Sequence, residues 1–203
     1  AGIRRYAELG VPVEVNESHQ WAMRGCGDTI EVATAYIAAH NARALGVGAY
    51  VAQFMFDTPR GTSPSMDIAK MSAKLELVES LSSGKFKVLR MVRSGLASLS
   101  ASPQVAKGQM AGSVYAAMAL RPHIVHVVGF SEADHAATAE DVVESAGQGI
   151  GVVPVHRLDN PDIEVLACGE HETLVEIARL QAELPLAGQR LRRRHRRHRA
   201  LVV

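Results

Sequence analysis

Four valines set the frame of this chain. Val13, Val51, Val88 and Val125 lie 38, 37 and 37 residues apart, each inside a short run rich in β-formers. The runs are V-P-V-E-V-N at 11–16, Y-V-A-Q-F-M-F at 50–56, F-K-V-L-R-M-V at 86–92 and I-V-H-V-V-G-F at 124–130. A repeat of this length leaves room between runs for one loop and one helix, and helical spacing is found there. Residues 29–45 place Ile30, Ala33, Ile37 and Ala38 on one face, with Asp28 and Glu31 at the spacing of a capping box. Residues 66–81 align Ile68, Met71, Leu75 and Val78, leaving Asp67, Lys70, Lys74, Glu76 and Glu79 for ion pairs on an outer face. Residues 103–120 start with a proline and carry a small-residue face for close packing, and a further helix runs to about Ser145.

Alternating strands and helices at a fixed pitch imply right-handed crossovers and a parallel sheet. The expected fold class is therefore α/β, a TIM-type (β/α) barrel present as a partial barrel of four to five βα units, with 150–155 as the fifth strand. A closed barrel takes about 250 residues, and the chain begins just before a strand. An open doubly wound sheet fits the same alternation, but no GxGxxG follows the first run, which weakens a dinucleotide site. The expected organisation is 1–156 as the partial barrel, 157–186 as a helical extension with a helix at 171–184, and 187–203 as an arginine-rich tail.

Charge separates that tail from the rest. The formal net charge is +1, yet seven arginines fall between 190 and 199, so the remainder is acidic. The basic run has no interleaved aromatics; a solvated or non-native end is expected rather than a nucleic-acid-binding arm. No apolar run approaches the roughly 20 residues of a membrane span, no signal peptide leads the chain, and Cys26 and Cys168 have neither CxxC nor zinc spacing. These features suggest reduced thiols and a cytoplasmic location.

In parallel βα folds, chemistry gathers at the carboxyl ends of the strands. The loop after the first run offers Glu17, His19, Gln20, Trp21, Arg24 and Asp28; the second offers Gln53, Asp57, Arg60, Thr62 and Ser63; the third Arg93, Ser94 and Ser98; the fourth Ser131, Glu132, Asp134 and His135. Gly61-Thr62-Ser63 ahead of a helix can cradle an anion with backbone N–H groups and hydroxyls, or serve simply as a turn and cap. Arg24 and Arg93 can add guanidinium forks, or form salt bridges. Glu132, Asp134 and His135 can act as acid, base or metal ligands, or as helix caps. His126, alternating with core valines, reads as a buried, barrel-interior histidine. No lysine sits at a strand's carboxyl end, so a Schiff-base lysine is not offered.

Long stretches carry a resemblance. H-Q-W-A-M-R-G, Y-V-A-Q-F-M-F-D-T-P-R-G-T-S-P-S-M-D-I-A-K-M-S-A-K-L-E-L-V-E-S-L, R-S-G-L and P-H-I-V-H-V-V-G-F-S-E-A-D-H-A-A-T-A-E-D-V look like the large α subunit of the D-lysine (β-lysine) 5,6-aminomutase family, with ornithine 4,5-aminomutase related. The match covers about 11–146. It implies a TIM-type barrel using pyridoxal 5′-phosphate and adenosylcobalamin to move an amino group of lysine to the adjacent carbon. It also implies a smaller β subunit holding the cobalamin and the pyridoxal phosphate lysine; this chain has no D-x-H-x-x-G motif. Carried over residue by residue, Arg24, Thr29, Ser63 and Arg93 are the expected pyridoxal phosphate residues, and Glu132, Asp134 and His135 the expected substrate-recognition residues. The family subunit is much longer, and the match fades after Ala146, so the chain alone is expected to be inactive. Two other readings remain: a metal-assisted barrel lyase or aldolase using Glu132, Asp134 and His135, and an inactive fragment with a basic binding tail.

Overall fold

A computed structural model describes residues 2–16, 18–152 and 164–167, with only the backbone described for Ser18, His19, Ile150, Val152 and 164–167. Glu17, Cys168, the expected helix at 171–184 and the arginine-rich tail lie outside the described residues. The elements run α1 (Gly2–Glu8), β1 (Val13–Glu14), α2 (Ser18–Met23), α3 (Asp28–Ala44), β2 (Ala49–Phe56), α4 (Pro64–Glu79), β3 (Lys87–Ser94), α5 (Pro103–Ala117), β4 (Ile124–Val127), α6 (Ala139–Val152) and β5 (Glu164–Ala167). All strand pairings are parallel and the sheet order is β1-β2-β3-β4-β5.

Strand order equal to chain order separates this fold from a doubly wound sheet. In a doubly wound sheet the order reverses at a switch point, placing helices on both faces. Here every crossover advances in one direction and, being right-handed, lands on the same face. The core agrees. Tyr50, Ala52, Phe54 and Phe56 of β2, Val88 and Val92 of β3, and Val125 and Val127 of β4 pack with Ala35, Ala39 and Ala42 of α3, Met71 and Val78 of α4, and Met110 and Val114 of α5. The alternate strand residues Val51, Leu89, Met91 and Ile124 form a separate cluster on the opposite, concave face. The result is a parallel sheet curled into part of a barrel. Phe54, Phe56, Val92 and Val125 are almost wholly buried, each stabilising by about 1.5–3 kcal/mol.

Four expectations need correction. The fifth strand is not at 150–155: α6 continues to Val152 and β5 lies at Glu164–Ala167, inside the segment expected to be a helical extension. The sheet therefore continues beyond residue 156. Gly149 lets α6 sit against β4; a Cβ there would lie 2.7 Å from Val127 Cγ2. Second, the expected polar loop after β1 contains helix α2. Third, α3 turns Ile30, Ala33 and Ile37 outward and buries Ala35, Ala38, Ala39, Ala42 and Glu31; its N-cap is Gly27, with no side-chain cap. Fourth, Asp67, Lys70 and Lys74 of α4 are buried rather than on an outer face. The expected α4 stripe does face inward, with Met71 and Val78 fully buried and Ile68 and Leu75 packed against them. Among the described residues no helix is long and apolar enough to cross a membrane.

Candidate functional site

Parallel pairing puts the carboxyl ends of the strands on one edge, and the four loops singled out by the sequence follow those ends. In the first loop, Arg24 is exposed and lies over the Trp21 ring, 5.8 Å from its centroid. Thr29 is exposed in the first turn of α3. In the second, Ser63 is the N-cap of α4 and its Oγ accepts from the Met66 N–H at 3.3 Å. Thr62 Oγ1 donates to Pro59 O at 2.6 Å, closing the turn through Gly61, whose φ of +86° favours glycine. Thus the Gly-Thr-Ser stretch does make the turn and cap, and one lone pair and the hydroxyl proton of Ser63 remain for a further partner or its neighbour Ser65 at 3.0 Å.

The fourth loop is tied to itself. Glu132 accepts from the Gly129 N–H at 3.0 Å, capping its own turn. His135 has one ring nitrogen 3.0 Å from Asp134 and the other 3.3 Å from Asp141, which also accepts from Thr138 at the start of α6. Those two carboxylates, Asp134 first, raise the His135 pKa. With both nitrogens engaged on an exposed surface, His135 must break a contact before serving a substrate. Among the described residues no group of three or more His, Cys, Asp and Glu is arranged to hold a metal.

Deeper down, the second and third loops are locked together by a lattice of polar contacts. Asp57, with a φ of +54°, donates its N–H to Asp67 Oδ2 at 2.6 Å and accepts from Ser98 Oγ through its carbonyl. Gly95 N–H donates to Phe56 O at 2.8 Å, and Arg60 donates to Leu99 O at 3.3 Å. Lys70 reaches across to the first unit. Its Nζ donates to Thr58 O at 2.6 Å and lies 2.8 Å from Glu31 Oε2 and 3.7 Å from Asp28. Lys74 Nζ is 3.7 Å from Glu31 Oε1 and 5.4 Å from the centre of the Phe54 ring. Glu31 thus faces both ammonium groups, one on each carboxylate oxygen. Beside Lys74 a cavity of ≈ 10 Å³, lined also by Ala35, Tyr50 and Val78, has room for one water.

Asp67 gives this lattice a pH signature. Burial, only partly offset by the Asp57 N–H and Lys70, pushes its pKa up to about 6, and among the described residues its buried Oδ1 has no hydrogen-bond partner. A raised folded pKa means the neutral form is favoured in the fold, so its stabilising contribution is present below about pH 4 and lost as pH rises through about 6. Asp67→Asn keeps an acceptor for the Asp57 N–H and removes that dependence. Urea midpoints measured at pH 5 and pH 7 should show wild type gaining more stability at pH 5, relative to pH 7, than the variant does; equal changes in the two would refute the assignment.

The concave face gathers Gln53, Arg93 and His126, singled out on three different strands, with Glu14, which had no such signal. Alternation places Glu14, Gln53, Arg93 and His126 in phase with the Val51–Met91–Ile124 cluster. Arg93 and His126 are register partners across β3 and β4, and Gln53 Nε2 donates to Glu14 Oε1 at 2.9 Å across β2 and β1. Burial, then the Arg93 charge, lowers the His126 pKa to about 4, so the imidazole is neutral at pH 7. Burial raises the Glu14 pKa, while Arg93 and a hydrogen bond with Asn16 pull it down. The structure thus brings Arg93 together with His126 and Glu14, while Arg24, Thr29 and Ser63 share the rim with it. Gln53 was among the residues singled out after the second strand, whereas the only sequence signal for Glu14 was its phase on β1.

No family model, curated protein or solved structure matches this chain. Functional assignment therefore rests on the residues and their placement. Those placements give a rim of helix N-termini, hydroxyls and guanidinium groups above a half-buried polar row and an apolar floor.

Proposed function

We propose that this chain is barrel-forming sequence of an aminomutase α subunit, of TIM type, which presents pyridoxal 5′-phosphate and an amino-acid substrate such as lysine at its carboxyl rim. The observation that carries the reading is the chain-order parallel sheet, because it delivers the loops bearing Arg24 and Thr29, Ser63, Arg93 and Glu132 to one edge. The long segments resembling the lysine 5,6-aminomutase family support it. Adenosylcobalamin, held mainly by a smaller β subunit, and lysine migration chemistry belong to the same proposal.

The donor set suits a phosphate. Ser63 heads α4 and Thr29 lies in the first turn of α3, where N–H groups and the helix dipole favour an anion. Arg93, half-buried at the end of β3, can add a guanidinium from the concave side. When bound, pyridoxal phosphate supplies electron withdrawal at the substrate amine. This chain's residues orient the phosphate, present neutral His126 below it and limit water on the apolar floor. Glu132, Asp134 and His135 remain the proposed substrate-facing residues of the fourth loop, His135 only after leaving one of its aspartates.

Titration of the chain with pyridoxal 5′-phosphate tests the reading. Arg93→Ala should weaken binding about 10- to 100-fold, the worth of a charge-assisted hydrogen bond, and Ser63→Ala about tenfold or less. Wild-type affinity in both folded variants would overturn the assignment of this rim.

A further inference from the structure

A buried cation ties the first unit to the second at the rim. Lys70 lies on α4, roughly two turns in from the Ser63 N-cap, and is 5% exposed. An ammonium carries three diverging donors, and three oxygens stand around this one. Thr58 O accepts from Nζ at 2.6 Å, Glu31 Oε2 is at 2.8 Å and Asp28 Oδ1 at 3.7 Å. Thr58 belongs to the second loop, which runs on through Gly61 to Ser63. Asp28 and Glu31 belong to the first turn of α3 and stand on either side of Thr29 in the chain.

Strand pairing fixes where β1 and β2 end, but each helix N-terminus is reached from its strand through connecting residues. The spacing of α3 and α4 at the rim therefore depends on what joins them there. The two helices pack on each other, yet packed helices slide by small shear steps. A buried ammonium gripped from both sides resists sliding, because any slide pulls it off an oxygen with no water to replace it. An anion bound by both helix N-termini needs that resistance, since its donors must lie within about 0.5 Å of the productive geometry.

We propose that Lys70 is a positioning residue: without touching the ligand, its ammonium sets the spacing between the helix N-termini that carry Thr29 and Ser63, and thereby the fit of a phosphate to both. This role rests on the rim assignment made above.

Calorimetric titration of the 203-residue chain with pyridoxine 5′-phosphate reads that fit, since this probe has no aldehyde to react with lysines. Lys70→Met leaves Glu31 facing Lys74 and removes the tie to Thr58. In the folded variant, affinity should fall about tenfold or more. The effect should run through Thr29. In a Thr29→Ala background, where the hydroxyl to be placed is gone, the same replacement should lower affinity about threefold or less, while it lowers the urea midpoint equally in both backgrounds. Equal affinity losses in the two backgrounds would mean a general loss of stability and overturn the proposal. Wild-type affinity in folded Lys70→Met would also overturn it, and weakened binding in Ser63→Ala and Arg93→Ala would then keep the rim assignment standing. Should the wild-type chain fail to bind the probe, or should Ser63→Ala and Arg93→Ala bind as wild type, the rim assignment falls and the positioning role falls with it. If Lys70→Met does not fold, Lys70→Arg takes its place in the cycle with the same expected and overturning results. Its flat fork keeps the charge beside Glu31 but cannot point three donors apart.

Discussion

Glu31→Ala is expected to destabilise the fold by about 3–5 kcal/mol, the range for breaking a buried ion pair by removing one partner. Glu31 is fully buried and is the anion within reach of both Lys70 and Lys74. Without it, Lys70 keeps the Thr58 carbonyl and the distant Asp28, but two ammonium groups remain together in a poorly solvating site. Lys74 is already strained in this respect. Burial lowers its pKa to about 8, although Glu31 pulls it up. Because the folded pKa lies below the unfolded value of 10.5, deprotonation favours the fold and stability from this group rises as pH climbs from about 8 to 10.5. Losing Glu31 should start that rise at a lower pH. Urea unfolding at pH 7 and pH 9 should therefore show a smaller deficit for Glu31→Ala at pH 9. Pairing Glu31→Leu with Lys74→Met should recover much of the loss, since an uncompensated charge rather than a missing bond is responsible. A deficit that is independent of pH and unrelieved in the pair would contradict this account.

Gly95→Ala is the second large effect expected, about 3 kcal/mol at the upper end of ordinary overpacking. A Cβ there would fall inside van der Waals contact of Thr58 Oγ1, 2.8 Å from Asp57 O and 3.1 Å from Phe56 O. Two of those three atoms are backbone and cannot rotate aside. The Gly95 N–H is bonded to one of them, so the third loop must move off the second. That movement should carry Arg93 with it and lower affinity at the proposed phosphate site as well as stability. Gly112→Ala on α5 is the matched control, because its Cβ meets nothing within 4 Å and should stabilise by about 0.5–1 kcal/mol. Thermal unfolding of both variants separates steric conflict from a general effect of replacing glycine.

The sheet was readable because parallel strands are covered on both faces and so appear as nearly continuous apolar runs. That is why the pitch of Val13, Val51, Val88 and Val125 matches β1 to β4. α4 was half-readable: Met71 and Val78 mark its inner face, but Asp67, Lys70 and Lys74 complete the same stripe and look like solvated charges until Glu31 is found opposite. α3 misled because small alanines face the sheet and its isoleucines face out, the reverse of what side-chain size suggests. Of the site, the rim loops follow from strand direction alone, including Ser63 and Arg93. Of the concave row, Gln53, Arg93 and His126 were visible, His126 as a buried histidine alternating with core valines; Glu14 was not, since it sits within a strand and acquires meaning only when β1 and β2 lie side by side.

A sheet whose strand order equals its chain order also shapes how the chain finds its structure. Each new strand needs only the one made before it, so no segment must wait for a distant partner. Loop closure is set by one repeat rather than by the whole chain, which keeps the entropic cost of each docking step nearly constant. Assembly can then proceed like a zipper from any unit that forms first, much as repeat proteins propagate from a local nucleus.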